Sequence, residues 1–111
     1  MLPESVIRLI HEEQARQQGR FIQNVNLDTY LAKLAARAEI VSHCVGDRCR
    51  GMVAFYCNDL ASRQAYITLL VVDPVERGLG LGGALLTFVL QTARRRGFTA
   101  CRLEVSKENS P

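Results

Sequence analysis

Tryptophan is absent from this sequence, histidine and methionine occur twice each, and aromatic residues make up only 6% of the chain. The missing patterns say more than the missing residues. No apolar run approaches the roughly 20 residues a membrane-spanning helix requires, and the opening MLPESVIRLIHEE carries acids where a secretory leader carries a basic head. The expectation is a cytoplasmic protein without membrane contact. The four cysteines, Cys44, Cys49, Cys57 and Cys101, form no C-x-x-C pair and have no histidine at ligand spacing, so no metal centre is expected. They read as reduced thiols, since cytosolic chains rarely keep disulfides. A net charge of +3 suits an anionic small ligand, but the basic residues lack the aromatic interleaving of a nucleic-acid surface. No repeat, low-complexity tract or linker interrupts the 111 residues, which are read as one domain spanning 1–111.

A hydrophobic share of 48% and a charged share of 23% are those of an ordinary globular domain. Pro3 can open a helix in which Val6, Leu9, Ile10 and Gln14 follow at helical spacing, ending near Gly19. Residues 20–26 show no period and read as a loop. Asn26 or Asp28 then caps a second helix whose stripe is Leu27, Leu31, Leu34, Ala35 and Ala38. Beyond Glu39 the period becomes two. Gly46-Asp47 tolerates a tight turn, so VSHCV and RGMVAFYC read as a hairpin. After a polar loop, residues 66–72 are nearly all apolar, as in a strand covered on both faces, and Asp73-Pro74 must end it. A helix from about Gly80 should present Leu81, Leu85, Phe88, Val89 and Thr92, and close at Arg94, Arg95, Arg96 and Gly97. Residues 99–105 alternate as a last strand, parallel to the previous one because a strand, helix and strand form a right-handed crossover. The class is α/β with a mixed, mostly antiparallel sheet.

The turn VERGLGLGG carries the chemistry. Glycines at 78, 80, 82 and 83 let backbone approach a ligand closely and leave helix N–H groups unpaired, which favours phosphate, and Arg77 can add a cation. The competing reading is that they only let the helix pack tightly against the sheet. A P-loop needs a lysine that the turn lacks. Gly78, Gly80 and Gly83 satisfy the dinucleotide pattern Gly-x-Gly-x-x-Gly, with Glu104 about 20 residues on where a ribose-binding acid would sit. Five residues, however, separate the strand from the first of these glycines, and a hairpin and two helices precede it. A dinucleotide-binding fragment therefore stays as an alternative. The third pattern, Arg-x-x-Gly-x-Gly, is met by Arg77, Gly80 and Gly82 directly after VVDP.

On that motif and the order helix, helix, hairpin, long strand, glycine turn, helix, strand, the chain resembles the GNAT N-acetyltransferase superfamily. The resemblance implies an acyl-CoA N-acyltransferase-like fold and transfer of an acetyl group from acetyl-CoA to an amine by direct attack. It implies that Arg77, Gly78, Leu79, Gly80, Leu81, Gly82 and Gly83 surround the pyrophosphate. Backbone groups of Leu70, Val71 and Val72 would pair with the pantetheine arm, and Asn109 would lie near the cofactor. The backbone of Val72 would hold the developing oxyanion, and Glu104, closing the strand beside the wedge, is the best carboxylate candidate for the base, the competing reading being a surface glutamate on an alternating strand. Cys57 and Cys101 are then packing residues rather than nucleophiles, and His11 and His43 structural or solvent-facing. Glu12 and Glu13 either face a cationic acceptor or form a solvated helix face. Arg94, Arg95 and Arg96 are explained by the helix dipole, roughly 22 Å of helix from the turn.

The sequence departs from the family in showing no strand before its first helix and in ending where members continue with a helix, often carrying a thiolate-protonating tyrosine, and two strands. It is thus expected to be a C-terminally truncated member whose last strand is open, and two copies are expected to associate over that edge. The alternative is an acyl-CoA-binding or interaction module without catalysis.

Overall fold

In the computed structural model, which describes residues 2–23 and 25–103, Pro3 sits immediately before helix α1, Glu4–Arg16. Its carbonyl accepts from the amides of Val6 and Ile7 at 3.1 Å. The helix stops three residues before Gly19, whose φ of +81° suits glycine. The aperiodic loop that follows is pinned rather than loose. Gln14 donates from Nε2 to the Ile22 carbonyl and accepts from the Ile22 amide, both at 2.8 Å, which holds Phe21 and Ile22 in the core. Asn26, not Asp28, caps α2, Leu27–Arg37, by accepting from the Thr29 amide at 3.1 Å.

The hairpin is β1, Glu39–Val45, and β2, Arg48–Tyr56; β3 is Gln64–Val72, followed by a 3-10 turn at Pro74–Glu76. Helix α3, Leu81–Arg95, then leads to β4, Ala100–Leu103. The sheet order is β1-β2-β3-β4, antiparallel except for the parallel β3–β4 pair. This is the mixed α/β architecture expected, and no strand precedes α1 among the described residues.

Helices α1 and α2 cover one face of the sheet and α3 the other. Met52, Ala54, Leu69 and Val71 join the first core with Val6, Leu9, Ile10, Leu31 and Leu34, whereas Val53, Phe55, Ala65 and Ile67 join the second with Leu85, Val89 and Ala93. In β3 the odd-numbered side chains change face partway along. The cause is register: Ala54 pairs with Leu69 but Phe55 with Ile67, so Thr68 is the extra residue of a β-bulge. Helix α3 buries Leu85, Val89, Thr92 and Ala93, but Phe88, expected on that face, is 43% exposed. It lies on the flank of a stripe centred on Val89, too far round the helix to reach the sheet.

Gly51 makes the close approach of α3 possible. A Cβ there would stand 2.8 Å from Leu81 Cδ2, closer than carbon atoms tolerate, and 3.3 Å from Leu85 Cδ1, a tight contact.

Candidate functional site

The glycine turn is anchored by charges where it leaves β3. Asp73, 2% exposed, accepts from the Val75 amide at 3.0 Å and from Arg48 Nη2 at 2.8 Å. The Val75 amide, working against burial and supported by Arg48, holds its carboxyl below the usual range. Arg77 donates from Nε to the Val72 carbonyl at 3.3 Å and from Nη2 to Glu13 Oε1 at 2.9 Å. Glu13 is therefore neither a solvated face nor open to an acceptor. It is 5% exposed and also accepts from Arg16 at 2.8 Å and Gln17 at 2.6 Å. Burial raises its pKa, but hydrogen bonds from Gln17 and Arg16 and the charge of Arg77 outweigh this and lower it overall. Arg77 thus braces the turn against α1.

Beyond that brace the backbone lies open. Gly78 and Gly80 adopt φ of +84° and +89°, where a side chain is strained, and Gly80 is the residue before α3. Among the described residues, the N–H groups of Gly78, Gly80, Leu81, Gly82 and Gly83 have no hydrogen-bond partner, the first within the helix being Ala84 to the Gly80 carbonyl at 3.0 Å. Packing does not explain the glycines. A Cβ at Gly78, Gly80 or Gly83 would meet nothing within 4 Å, and one at Gly82 only Val72 Cγ2 at an ordinary 3.6 Å. Leu79 projects outward, 72% exposed.

Beside this turn, β3 runs parallel to β4. Their described pairing runs from Gln64–Ala100 to Ile67–Leu103 and stops just before the Thr68 bulge. The Asp73 amide donates to the Arg50 carbonyl at 2.8 Å, so Asp73 and Val71 direct their backbone groups at β2. By strand alternation Leu70 and Val72 direct theirs away from β2, toward the side on which β4 lies. Of the three residues expected to meet a pantetheine arm, Leu70 directs both its backbone groups to that side, Val72 directs its N–H there while its carbonyl is held by Arg77, and Val71 is committed to the ladder with its side chain buried. Glu104 and Asn109 lie outside the described residues.

The thiols are all free: Cys49 and Cys57 are buried, Cys101 partly so, and Cys44 exposed. Burial, with Cys44 as neighbour, pushes the Cys49 thiol up to about 11, and burial also raises Cys101. Neither is poised as a nucleophile. His11 and His43 are exposed. Of the arginines closing α3, Arg96 binds Glu39 through Nη2 at 2.8 Å and reaches the Cys57 carbonyl at 3.3 Å, a tertiary role the dipole reading did not include. Glu13 was the residue sequence reasoning placed least well. The available signal was its position seven after Val6 and three after Ile10, on the buried stripe itself.

The model of the Acetyltransferase (GNAT) family matches residues 7–111. The chain belongs to that family. No curated protein sequence matches it. Among solved structures, it is similar to an aminoglycoside acetyltransferase from an uncultured soil metagenomic sample in complex with trehalose, with a TM-score of 0.68 and 22% identity over 94% of this chain and 71% of that one. The ribosomal-protein-alanine N-acetyltransferase of Brucella melitensis biovar Abortus 2308 gives a TM-score of 0.71 at 18% identity over 95% of this chain and 74% of that one. Both likenesses concern the fold. A structure assigned as a streptothricin acetyltransferase from Bacillus anthracis str. Ames, in complex with acetyl coenzyme A, gives 0.56 at 25% identity over 66% of this chain and 40% of that one.

Proposed function

We propose that this protein binds acetyl-CoA at the turn 77–83 and transfers its acetyl group to an amine. The observation that carries the reading is the row of N–H groups without partners among the described residues at Gly78, Gly80, Leu81, Gly82 and Gly83, with open space where a Cβ would stand at Gly78, Gly80 and Gly83. Such a row, at the positive end of a helix of 15 residues, suits a pyrophosphate. The outward-facing backbone groups of Leu70 suit the amides of a pantetheine arm, and the Val72 N–H, whose carbonyl Arg77 already holds, suits the oxyanion. The acetyl donor bound to the solved structure from Bacillus anthracis supports the same ligand.

In the step itself the amine lone pair forms a bond to the acetyl carbon, and the carbon–sulfur bond breaks with its electrons leaving on sulfur. The surplus amine proton passes to a base, and we assign that role to Glu104. No covalent enzyme intermediate is needed, consistent with the burial of Cys57 and the raised thiol of Cys101. The reading extends to a cytoplasmic homodimer formed over β4, where Leu90 and Leu103 are about half exposed and a cavity of about 290 Å³ lies between α3 and β4. No helix among the described residues is long and apolar enough to cross a membrane.

Calorimetry with acetyl-CoA tests the claim. Saturable binding below millimolar concentration is expected, and no heat near millimolar ligand would overturn it. Release of free thiol with an amine panel then separates catalysis from mere acyl-CoA binding, and Glu104→Gln should slow that release without weakening donor binding. Light scattering that shows only monomer would remove the dimer.

A further inference from the structure

On the sheet face covered by α2 lies a cavity of about 390 Å³ lined by Tyr30, Lys33, Arg37, Tyr56, Tyr66 and Thr68, with Leu34 at its base. Its place follows from the bulge. Thr68 is the extra residue of β3 and Tyr66 is paired with Arg102 of β4, so the cavity lies over the bulge. Leu70 is only two residues, roughly 7 Å, further along the same strand. A molecule seated here lies close to the Leu70 backbone proposed to meet the pantetheine arm.

Among the described residues the charge of the cavity is one-sided: Lys33 and Arg37 stand one turn apart on α2, and none of the described lining residues is acidic. Among the described residues neither forms an ion pair, whereas Arg16, Arg48, Arg50, Arg77 and Arg96 each face a carboxylate. Two like charges at this spacing repel. The helix dipole accounts for Arg37 in the last turn but not for Lys33 in the middle of the helix. Arg102, the strand partner of Tyr66, adds a third cation on the same sheet face. Tyr30 Oη lies 3.5 Å from Thr68 Oγ1, and the three phenol rings give apolar walls ending in hydroxyls.

We infer that this cavity is the acceptor subsite and that it selects a small amine which also bears a carboxylate, held by Lys33 and Arg37. The inference rests on the acetyl-transfer reading for its role but not for its test. Polycationic amines are disfavoured by the same charges.

The chain has no tryptophan and three tyrosines, and all three line this cavity, so its tyrosine emission reports on this one place. Titration at constant ionic strength with N-acetylglycine should change that emission saturably, and its neutral match N-acetylglycinamide should bind about tenfold more weakly. Lys33→Gln and Arg37→Gln together should abolish the difference and leave the calorimetric affinity for acetyl-CoA unchanged. Both side chains are exposed, so the double variant should keep the parent circular dichroism. Equal response to the two probes, no response to either at tens of millimolar, a difference that survives in the double variant, or tighter binding of the polycation sisomicin would each overturn the inference. Failure of acetyl-CoA to bind would instead overturn the donor reading, because the titration contains no donor.

Discussion

Gly83→Ala sets folding against donor binding. Gly83 is the third residue of α3, its φ is not in the left-handed region, and a Cβ there would touch nothing within 4 Å. If the fold were all that mattered, alanine would be the better residue. It should add about 0.5–1 kcal/mol through helix propensity and a less free unfolded chain, a rise of roughly 2–8 °C in Tm for a domain of this size. The same open space is where a phosphate must come to reach the amides of Gly82 and Gly83. A methyl group placed there should weaken acetyl-CoA by at least about tenfold, or about 1.4 kcal/mol. Thermal melts and calorimetry on the same preparations would show Tm rising while affinity falls. A Tm that rises with affinity unchanged would refute the cradle.

Gly80→Ala supplies the comparison. At φ +89° alanine is strained by about 1–2 kcal/mol, so Tm should fall, although the added Cβ again meets nothing. Opposite changes in Tm with the same loss of donor affinity at positions 80 and 83 would not arise from altered stability alone.

Three further outcomes follow from the packing and the charges. Gly51→Ala should lower stability by about 1–3 kcal/mol, because its methyl group would force Leu81 and Leu85 aside, and an unchanged urea midpoint would contradict the close approach. Glu13 and Asp73 have folded pKa values below their unfolded ones of about 4. Their contribution is fully present above the unfolded value and lost as pH falls through the folded one, so urea midpoints should hold from pH 7 to about 5 and drop below about 4. Glu13→Gln should flatten part of that drop. Thiol reagents at pH 8 should label exposed Cys44 first and buried Cys49, with its pKa near 11, only on unfolding; early labelling of Cys49 would contradict its burial.

Much of the fold was legible because local rules and tertiary packing agree here. Pro3, Asn26, Gly46, Asp73-Pro74 and Gly97 mark element ends in the sequence and do so in the structure. The geometry of the turn proposed to bind the donor was legible for the same reason, since positive φ and open amides are written directly as glycine. The Thr68 bulge was not legible: residues 66–72 are apolar on both faces, so no alternation existed whose break could reveal it. Without the bulge the sequence could not show that Tyr66 and Thr68 join Tyr30, 36 or more residues earlier, around one cavity. Glu13 misled because a charged residue on a helix is usually solvated, and its partner Arg77 is 64 residues away.

These contrasts reflect two kinds of construction. The proposed donor site is made of backbone groups, so its specification is short: a strand that must stop, glycines that must bend, and a helix that must begin. The proposed acceptor site is made of side chains contributed by α2, β2 and β3, and it exists only because the sheet brings them together. The bulge at Thr68 joins the two. It turns Leu69 and Val71 toward α1 and α2 just past the last described pair with β4, while Leu70 and Val72 keep their backbone groups on the β4 side. Side chains around the cavity can therefore change without altering the donor cradle, which is how one scaffold can keep its acetyl donor while changing the amine it serves.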